Sequence, residues 1–184
     1  LANQATNWFV SGVSPTRMGN AHPNLVPYQP FPCRDGSVVI AVGNDSQYRT
    51  LCGVLGTDAL AADPRYLNNP GRIENRAELA SALSVRTSGW TMRDLIEALE
   101  TAGVPCGPIN TVEQVFAEPQ AVHRELEIRQ TRDDLLSPSR TVASPIRLSE
   151  TPVRYTIAPP RLGQHTQDVL AMLDSEADQG PDSR

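Results

Sequence analysis

The chain has 184 residues, of which 39% are hydrophobic and 20% charged, and its formal net charge is −5 at pH 7. This length fits one domain with trailing segments and a core of ordinary size. No run of 18 apolar residues occurs, so we expect no membrane-spanning helix. The negative net charge does not favour nucleic acid as a partner.

All 16 basic residues are arginine. The lack of lysine excludes a Schiff-base lysine and a P-loop lysine within this chain. The three cysteines, Cys33, Cys52 and Cys106, form no C-x-x-C motif, and no signal-peptide pattern opens the chain. We therefore expect reduced thiols and a cytoplasmic protein. Because the chain begins with Leu1 and not with methionine, we expect a processed protein or a piece of a longer one.

The first elements in chain order are a helix end, a connector and a hairpin. Residues 1–11 are typical of the end of a helix, whereas the glycines and prolines of residues 12–30 predict an extended connector. Two strand-like runs, Tyr28–Arg34 and Ser37–Val42, flank the Asp35-Gly36 pair, which predicts a β-hairpin. The uninterrupted apolar stretch from Val38 to Val42 indicates a strand covered on both faces.

Helices follow the hairpin. Asn44 or Asp45 can cap a first helix, which Gly56 ends, and its apolar positions recur with helical spacing. A short turn is predicted over Asp63–Tyr66, and a second helix over Ile73–Val85.

The third predicted helix begins after Thr91 and ends at Gly103. Thr111 and Gln114 have the spacing of a capping box, which predicts the start of a fourth helix. The alternation over residues 126–129 indicates a half-buried strand.

From Pro138 onward, prolines predict a second extended connector with short strands, and Thr166 can cap a final helix. We expect residues 175–184 to be frayed. The predicted fold is therefore α+β: a small mixed helix and strand domain over residues 28–135. Extended proline-rich arms, residues 1–27 and 136–184, flank it, and the second arm carries the final helix.

Familiar catalytic constellations are lacking. None of the three histidines has a second metal ligand three or four residues away, so we predict no metal site. No G-x-S-x-G motif is present. Cys106 has apolar neighbours in sequence and is better interpreted as a small buried hydrophobic residue than as a nucleophile. We assign no catalytic residue to this chain.

The segment Arg17–Gln29 combines glycine, histidine, two asparagines, tyrosine, glutamine and two prolines. Prolines fix the backbone path, so the polar side chains between them can line a cleft. A connector whose polar groups only satisfy backbone atoms is an equal alternative. The candidate substrate-binding residues are Gly19, Asn20, His22, Pro23, Tyr28 and Gln29.

A second local signal is Arg161–Thr166, where a glycine precedes a capped helix. Backbone N–H groups there could bind an anion, but a helix cap is the simpler interpretation.

Four segments together resemble the class III CoA-transferases, also called the CaiB/BaiF or formyl-CoA transferase family. They are G-N-A-H-P-N with P-Y-Q at 19–29, L-A-A-D-P-R-Y at 60–66, A-G-V-P-C-G-P-I-N at 102–110 and A-P-P-R-L-G-Q-H-T at 158–166.

The resemblance implies a missing part. Members of this family carry a preceding Rossmann-like domain that binds CoA and supplies an aspartate nucleophile, which forms anhydride and aspartyl-CoA intermediates. The present chain then corresponds to the connector, the small domain and the returning tail. The resemblance also implies interlocked homodimers, acyl-CoA and a carboxylic acid as substrates, and no tightly bound cofactor.

The resemblance leaves several functions open. Formyl-CoA transferases have a glycine-rich closing loop where this chain has Gly19–Pro23, so the sequence here is more similar to members that handle succinate or glutarate. An acyl-CoA racemase or a carnitine-type dehydratase of the same superfamily is the enzymatic alternative. A non-catalytic dimerisation module is the third hypothesis.

Overall fold

The computed structural model describes residues 2–177. The chain divides into two compact units, Leu1–Ile109 and Asn110–Arg184. This division falls inside residues 28–135, so the predicted limits of the small domain stay a prediction. Mixed helices and small sheets make up both units, and the predicted α+β class is confirmed.

Over its described residues, 2–109, the first unit contains one three-stranded antiparallel sheet and six helices. The strands are β1 (Tyr28–Cys33), β2 (Gly36–Ala41) and β3 (Cys106–Pro108), in the order β1-β2-β3. The helices are α1 (Ala2–Ser11), α2 (Asp45–Val54), α3 (Asp58–Ala62), α4 (Asn69–Glu74), α5 (Arg76–Thr87) and α6 (Met92–Thr101).

The predicted helix caps of this unit are confirmed. The Asn44 side chain accepts a hydrogen bond from Gln47 N at 2.9 Å, and the Thr91 hydroxyl accepts one from Asp94 N at 3.1 Å. Gly103 follows α6 with a φ of +73°, a left-handed conformation that glycine adopts at little cost. These local signals positioned α2 and α6 correctly.

The helix predicted over Ile73–Val85 is instead two helices that meet at Asn75, where the backbone leaves helical geometry. The first of them, α4, begins four residues earlier than predicted because Asn68 caps it and Pro70 occupies its first turn. Helix α3 was not predicted.

The hairpin between β1 and β2 is confirmed, with its two-residue loop one position earlier than expected. Cys33 pairs with Gly36, which leaves Arg34 and Asp35 at the tip. The Asp35 carboxylate accepts a hydrogen bond from Met92 N at 2.8 Å and thereby satisfies a free N–H group of α6.

The core of the first unit lies between the sheet and helices α2, α5 and α6. Along β2, Val38 and Ile40 are fully buried whereas Val39 and Ala41 are half-buried. The prediction that both faces of this strand are covered is therefore wrong, since only one face is fully covered. The buried hydrophobic residues of this core include Phe31, Val38, Ile40, Tyr48, Leu51, Leu79, Leu83, Leu95 and Leu99.

The second unit contains α7 (Val112–Ala117), α8 (Pro119–His123), β4 (Glu127–Gln130), β5 (Ser139–Val142) and α9 (Thr166–Ala177). Strands β4 and β5 form an antiparallel pair.

Four predictions for this unit can be compared with the structure. The strand predicted over residues 126–129 is confirmed as β4, shifted by one residue. The capping box of Thr111 and Gln114 is confirmed. Thr166 is the first residue of α9 and not its cap. Residues 175–177 are helical, against the predicted fraying, and the remainder of 175–184 lies outside the described residues.

Both terminal helices of the described chain expose apolar side chains. Helix α1 buries no residue, and Phe9 is 74% exposed. In α9, Val169 and Leu170 are about half exposed. Within residues 2–177, no helix combines the length and the hydropathy that a membrane crossing needs.

Candidate functional site

Residues 12–27, called the connector below, contain neither helix nor strand, as predicted. Gly19 has a φ of +61° and forms a turn with Asn20, so the chain can reverse there without strain. Asn20 is exposed in this turn. The second half of the connector is more buried than the first, and Val26 is only 1% exposed.

His22 closes the second half of the connector into a loop. Its backbone N–H donates to Tyr28 O at 2.9 Å, and its ring stacks on the Tyr28 ring with centroids 5.0 Å apart. The Nδ1 atom accepts a hydrogen bond from Asn24 N at 3.1 Å. In the neutral imidazole the proton is therefore on Nε2, which becomes a hydrogen-bond donor.

Three polar side chains on α4 and α5 hold this loop by its backbone. Asn69, Arg72 and Arg76, called the anchoring row below, have helical spacing and all point at the connector. Asn69 accepts from Val26 N at 3.1 Å and donates to Asn24 O at 2.8 Å. Arg72 donates to Val26 O at 2.7 Å. These bonds fix an irregular segment that has no ladder of its own.

Arg76 completes the anchoring row. Its two terminal nitrogens donate to His22 O and to Pro23 O, each at 2.8 Å. Two consecutive carbonyls are thus held by one guanidinium, a geometry that the planar fork of arginine fits. Burial lowers the pKa of the Arg76 guanidinium.

Arg72 is buried to 1% exposure and is fully partnered. It forms an ion pair with Asp45 at 2.7 Å and donates to Tyr66 O at 3.0 Å. Its guanidinium also lies 4.6 Å from the centroid of the Tyr48 ring. Burial is the main cause of the raised pKa of the Tyr48 hydroxyl, which therefore stays neutral and donates to a backbone carbonyl.

The structure brings some of the sequence-predicted site residues together and not others. His22, Pro23 and Tyr28 lie in the closed loop. Gly19 and Asn20 lie in the exposed turn before it, and Gln29 pairs with Ile40 in the sheet. The anchoring row was missed by sequence reasoning, since side chains that bind backbone carbonyls leave no motif.

Nucleophilic and metal chemistry find little support in the described residues. Burial raises the pKa of the Cys33, Cys52 and Cys106 thiols, which disfavours the reactive thiolate. Within residues 2–177, no cluster of three histidine, cysteine or acidic side chains could hold a metal ion.

The Arg161–Thr166 segment is a turn stabilised by its own groups. Arg161 N donates to the Gln164 side chain at 2.9 Å, and Gly163 has a φ of +75°. The N–H group of Thr166 donates to Gly163 O at 3.1 Å, so this group is occupied within the chain.

Comparison with known proteins places these features in a family. The family model of CoA-transferase family III matches residues 1–166. A succinate–glutarate CoA-transferase of Agrobacterium fabrum is 45% identical over 95% of this chain. The human succinyl-CoA:glutarate CoA-transferase is 34% identical over 92% of it.

A solved structure agrees with the sequence relatives. The crystal structure of a CaiB/BaiF family protein from Brucella suis superposes with a TM-score of 0.80 and 43% identity, over 95% of this chain and 44% of that one. The chain spans 44% of the Agrobacterium protein and 39% of the human protein. The family match covers most of the chain, and the chain belongs to CoA-transferase family III.

Proposed function

We propose that this chain is the C-terminal part of an enzyme that moves CoA between an acyl-CoA and a carboxylic acid. The observation that carries this proposal is the family match over residues 1–166. In the proposed reaction, an aspartate outside these 184 residues attacks the acyl-CoA thioester, which forms an acyl anhydride and releases CoA as its thiolate. The thiolate then attacks the aspartyl carbonyl of the anhydride, which forms an aspartyl-CoA thioester and releases the donor carboxylate. The incoming carboxylate takes up the CoA in the reverse sequence.

Dicarboxylic acids are the proposed substrate class. The two relatives named above act on succinate and glutarate by their names, and both are more than 30% identical to this chain. The loop sequence G-N-A-H-P-N, in place of a glycine-rich loop, supports the same class.

The proposal includes partners. A preceding Rossmann-like domain would bind CoA. This chain covers only 44% and 39% of the two relatives, which leaves more than half of each relative for such a domain. A homodimer in the cytoplasm belongs to the same proposal. Apolar side chains of α1 and α9 are exposed, and this supports the proposal that another protein surface, from the preceding domain or a second subunit, packs against them.

His22 has the chemistry to meet the reacting acyl group. Its Nε2–H is a hydrogen-bond donor, and the ring is fixed by the Tyr28 stack and by the bond from Asn24 N. Such a donor suits a carboxylate or an anhydride oxygen. In this proposal His22, with Asn20 and the adjacent backbone, positions the substrate carboxylate and shields the anhydride from water.

The first test is the activity of the complete polypeptide, meaning the product of the whole reading frame that contains these residues. We expect transfer of CoA from succinyl-CoA to glutarate, followed by chromatography of the two thioesters. Racemisation of a 2-methylacyl-CoA, or dehydration of a hydroxyacyl-CoA, without any transfer would favour the racemase or dehydratase alternative. A complete polypeptide without any of these activities would support the dimerisation module.

The second test concerns the site. In the complete polypeptide, His22→Ala and Asn20→Ala should each lower transition-state stabilisation by about 1–3 kcal/mol, the cost of an unmade buried hydrogen bond. Hydrolysis of the acyl-CoA should increase relative to transfer. Arg86→Met, a change on the exposed surface of α5, is the control and should leave both rates as in wild type. Wild-type rates in both variants would contradict the positioning role and leave the connector with a structural role only.

A further inference from the structure

Arg76 is a partly buried arginine whose charged group binds two backbone carbonyls and no carboxylate among the described residues. Within the described part of the chain, Arg72 is paired with Asp45, whereas Arg76 forms no ion pair. Its side chain is half-buried at the first position of α5. A desolvated cation is costly when only neutral carbonyls face it.

A neutral donor would suffice to hold the connector in place. Asn69, in the same row, holds Asn24 O with an uncharged amide at 2.8 Å. The guanidinium does something that an amide does not: it holds two successive carbonyls at 2.8 Å each. This bidentate contact fixes the peptide between His22 and Pro23 in both position and orientation.

His22 is therefore held at three points, one on its backbone and two on its ring. Arg76 holds its carbonyl, Tyr28 stacks on its ring, and Asn24 N–H occupies Nδ1. Of these contacts, only that of Arg76 comes from a helix outside the connector and β1. The orientation of the Nε2–H group consequently depends on an element of the folded unit.

We propose that Arg76 is a positioning residue: its guanidinium clamps the His22 and Pro23 carbonyls and so aims the His22 Nε2–H at the reacting acyl group. The two hydrogen bonds from Arg76 to the loop are seen in the structure. That the His22 Nε2–H then faces an acyl group rests on the proposed function. Arg76 acts through His22 and needs no contact with substrate.

The first experiment measures transfer in the complete polypeptide with Arg76→Met, Arg76→Lys, His22→Ala and Arg76→Met/His22→Ala. We expect Arg76→Met to lower kcat by about tenfold or more and to raise hydrolysis relative to transfer. Arg76→Lys keeps the positive charge but loses the planar, two-pronged guanidinium, so its kcat should lie between those of Arg76→Met and the wild type. Arg86→Met, an exposed arginine on the same helix, should behave as wild type.

The double variant separates positioning from an independent role. If Arg76 acts through His22, the double variant is no slower than His22→Ala alone. Additive losses, or an Arg76→Met enzyme equal to Arg86→Met, would overturn the proposal. If Arg76→Met unfolds at the assay temperature, the same cycle is run with Arg76→Lys.

A second experiment does not depend on CoA transfer. In the 184-residue chain, ¹⁵N NMR of the imidazoles reports the His22 tautomer, and ring-current shifts report its stack on Tyr28. We expect Arg76→Met to change both and Arg86→Met to change neither. An unchanged His22 would overturn the clamp even if the enzyme transfers CoA, whereas a changed His22 in an enzyme without transfer would overturn only the proposed function.

Discussion

Arg72 is a buried residue that joins three separate stretches of the chain. Its guanidinium donates to the carbonyls of Val26 and Tyr66 and pairs with Asp45 at the start of α2. The Asp45 side chain is 46% exposed, so the pair itself is partly screened by water. The stabilisation therefore depends more on the two backbone carbonyls, because within residues 2–177 Arg72 is the donor that binds them.

Replacing Arg72 by methionine should destabilise the first unit. Each of the two carbonyls left without its donor costs about 1–3 kcal/mol, so the free energy of unfolding should fall by roughly 2–6 kcal/mol in total. Urea unfolding followed by circular dichroism gives this value. Asp45→Asn, which removes only the screened ion pair, is the matched control and should cost about 1 kcal/mol or less. Equal losses in the two variants would contradict the argument.

Residues whose role is local could be predicted from sequence, and those that act over a distance could not. Asn44, Thr91 and Thr111 cap helices a few residues away, so their spacing alone indicated their function. Arg72 and Arg76 reach residues 46 and 54 positions earlier in the chain. Their partners are carbonyl groups, which every residue has, so no pattern in the sequence could identify them.

At the scale of elements, the position of α4 requires its backbone at Gly71 to lie very close to the backbone of Arg65. A Cβ atom at Gly71 would collide with the carbonyl oxygen of Arg65. That carbonyl cannot retreat easily, since the next residue, Tyr66, is 1% exposed and its own carbonyl accepts from Arg72. The glycine thus lets α4 carry Asn69 and Arg72 up to the connector.

Gly71→Ala should lower the free energy of unfolding by about 1–3 kcal/mol, the usual cost of overpacking. Gly53→Ala is the matched control: Gly53 is a helical glycine in α2 with nothing within 4 Å of the added methyl group. This control should stabilise the protein by about 0.5–1 kcal/mol through helix propensity. Thermal or urea unfolding compares the two variants. A stabilised Gly71→Ala variant would show that the Arg65 carbonyl can move away from the added methyl group, against this argument.

The pair β4–β5 depends on one carboxylate. Arg129 and Arg140 are direct partners in its register, a like-charge pair that disfavours the hairpin. Glu127 compensates this repulsion, since it accepts hydrogen bonds from Arg129 Nε at 2.8 Å and from Arg140 Nη2 at 3.0 Å. The bonds from Arg140 and then Arg129 lower the pKa of the Glu127 carboxyl.

Because the folded-state pKa of Glu127 lies below its unfolded value, the stabilisation is complete above the unfolded value of about 4.3 and is lost as the pH falls through the folded value. Glu127→Gln should remove this contribution at neutral pH and flatten that part of the pH profile. Amide chemical shifts of Ile128 and Thr141 measure hairpin formation. Glu113→Gln removes one charge from the same unit and should leave the profile as in wild type; an identical change in both variants would refute the assignment.

The elements themselves were largely predictable where their signals are local. Hydrophobic spacing and caps predicted α2, α6 and α7, and the Asp-Gly pair predicted the hairpin. The hairpin tip moved by one residue because Asp35 binds Met92 N, a contact between residues far apart in sequence. The break at Asn75 was missed for a similar reason: the connector, through Asn69 and Arg76, binds helices on both sides of it.

At the scale of the whole molecule, the family match and the coverage of the relatives support a chain that completes its function with further residues. The exposed apolar side chains of α1 and α9 agree with this, since they are available to pack against further residues. The sequence motifs indicated the family and the loop. They could not indicate the acyl donor or acceptor, because the proposed nucleophile and CoA site lie outside these residues.

The 184-residue chain alone should therefore transfer no CoA and bind CoA with no micromolar affinity. CoA carries phosphates that need lysine or arginine donors, and this chain has no lysine. Some of its arginines, such as Arg65, Arg132 and Arg140, are already bound to carboxylates. Isothermal titration of the chain with CoA and with succinyl-CoA is the measurement, and the complete polypeptide is the positive control. Micromolar binding to the 184-residue chain would contradict the proposed division of labour, because a CoA site would then lie within these residues.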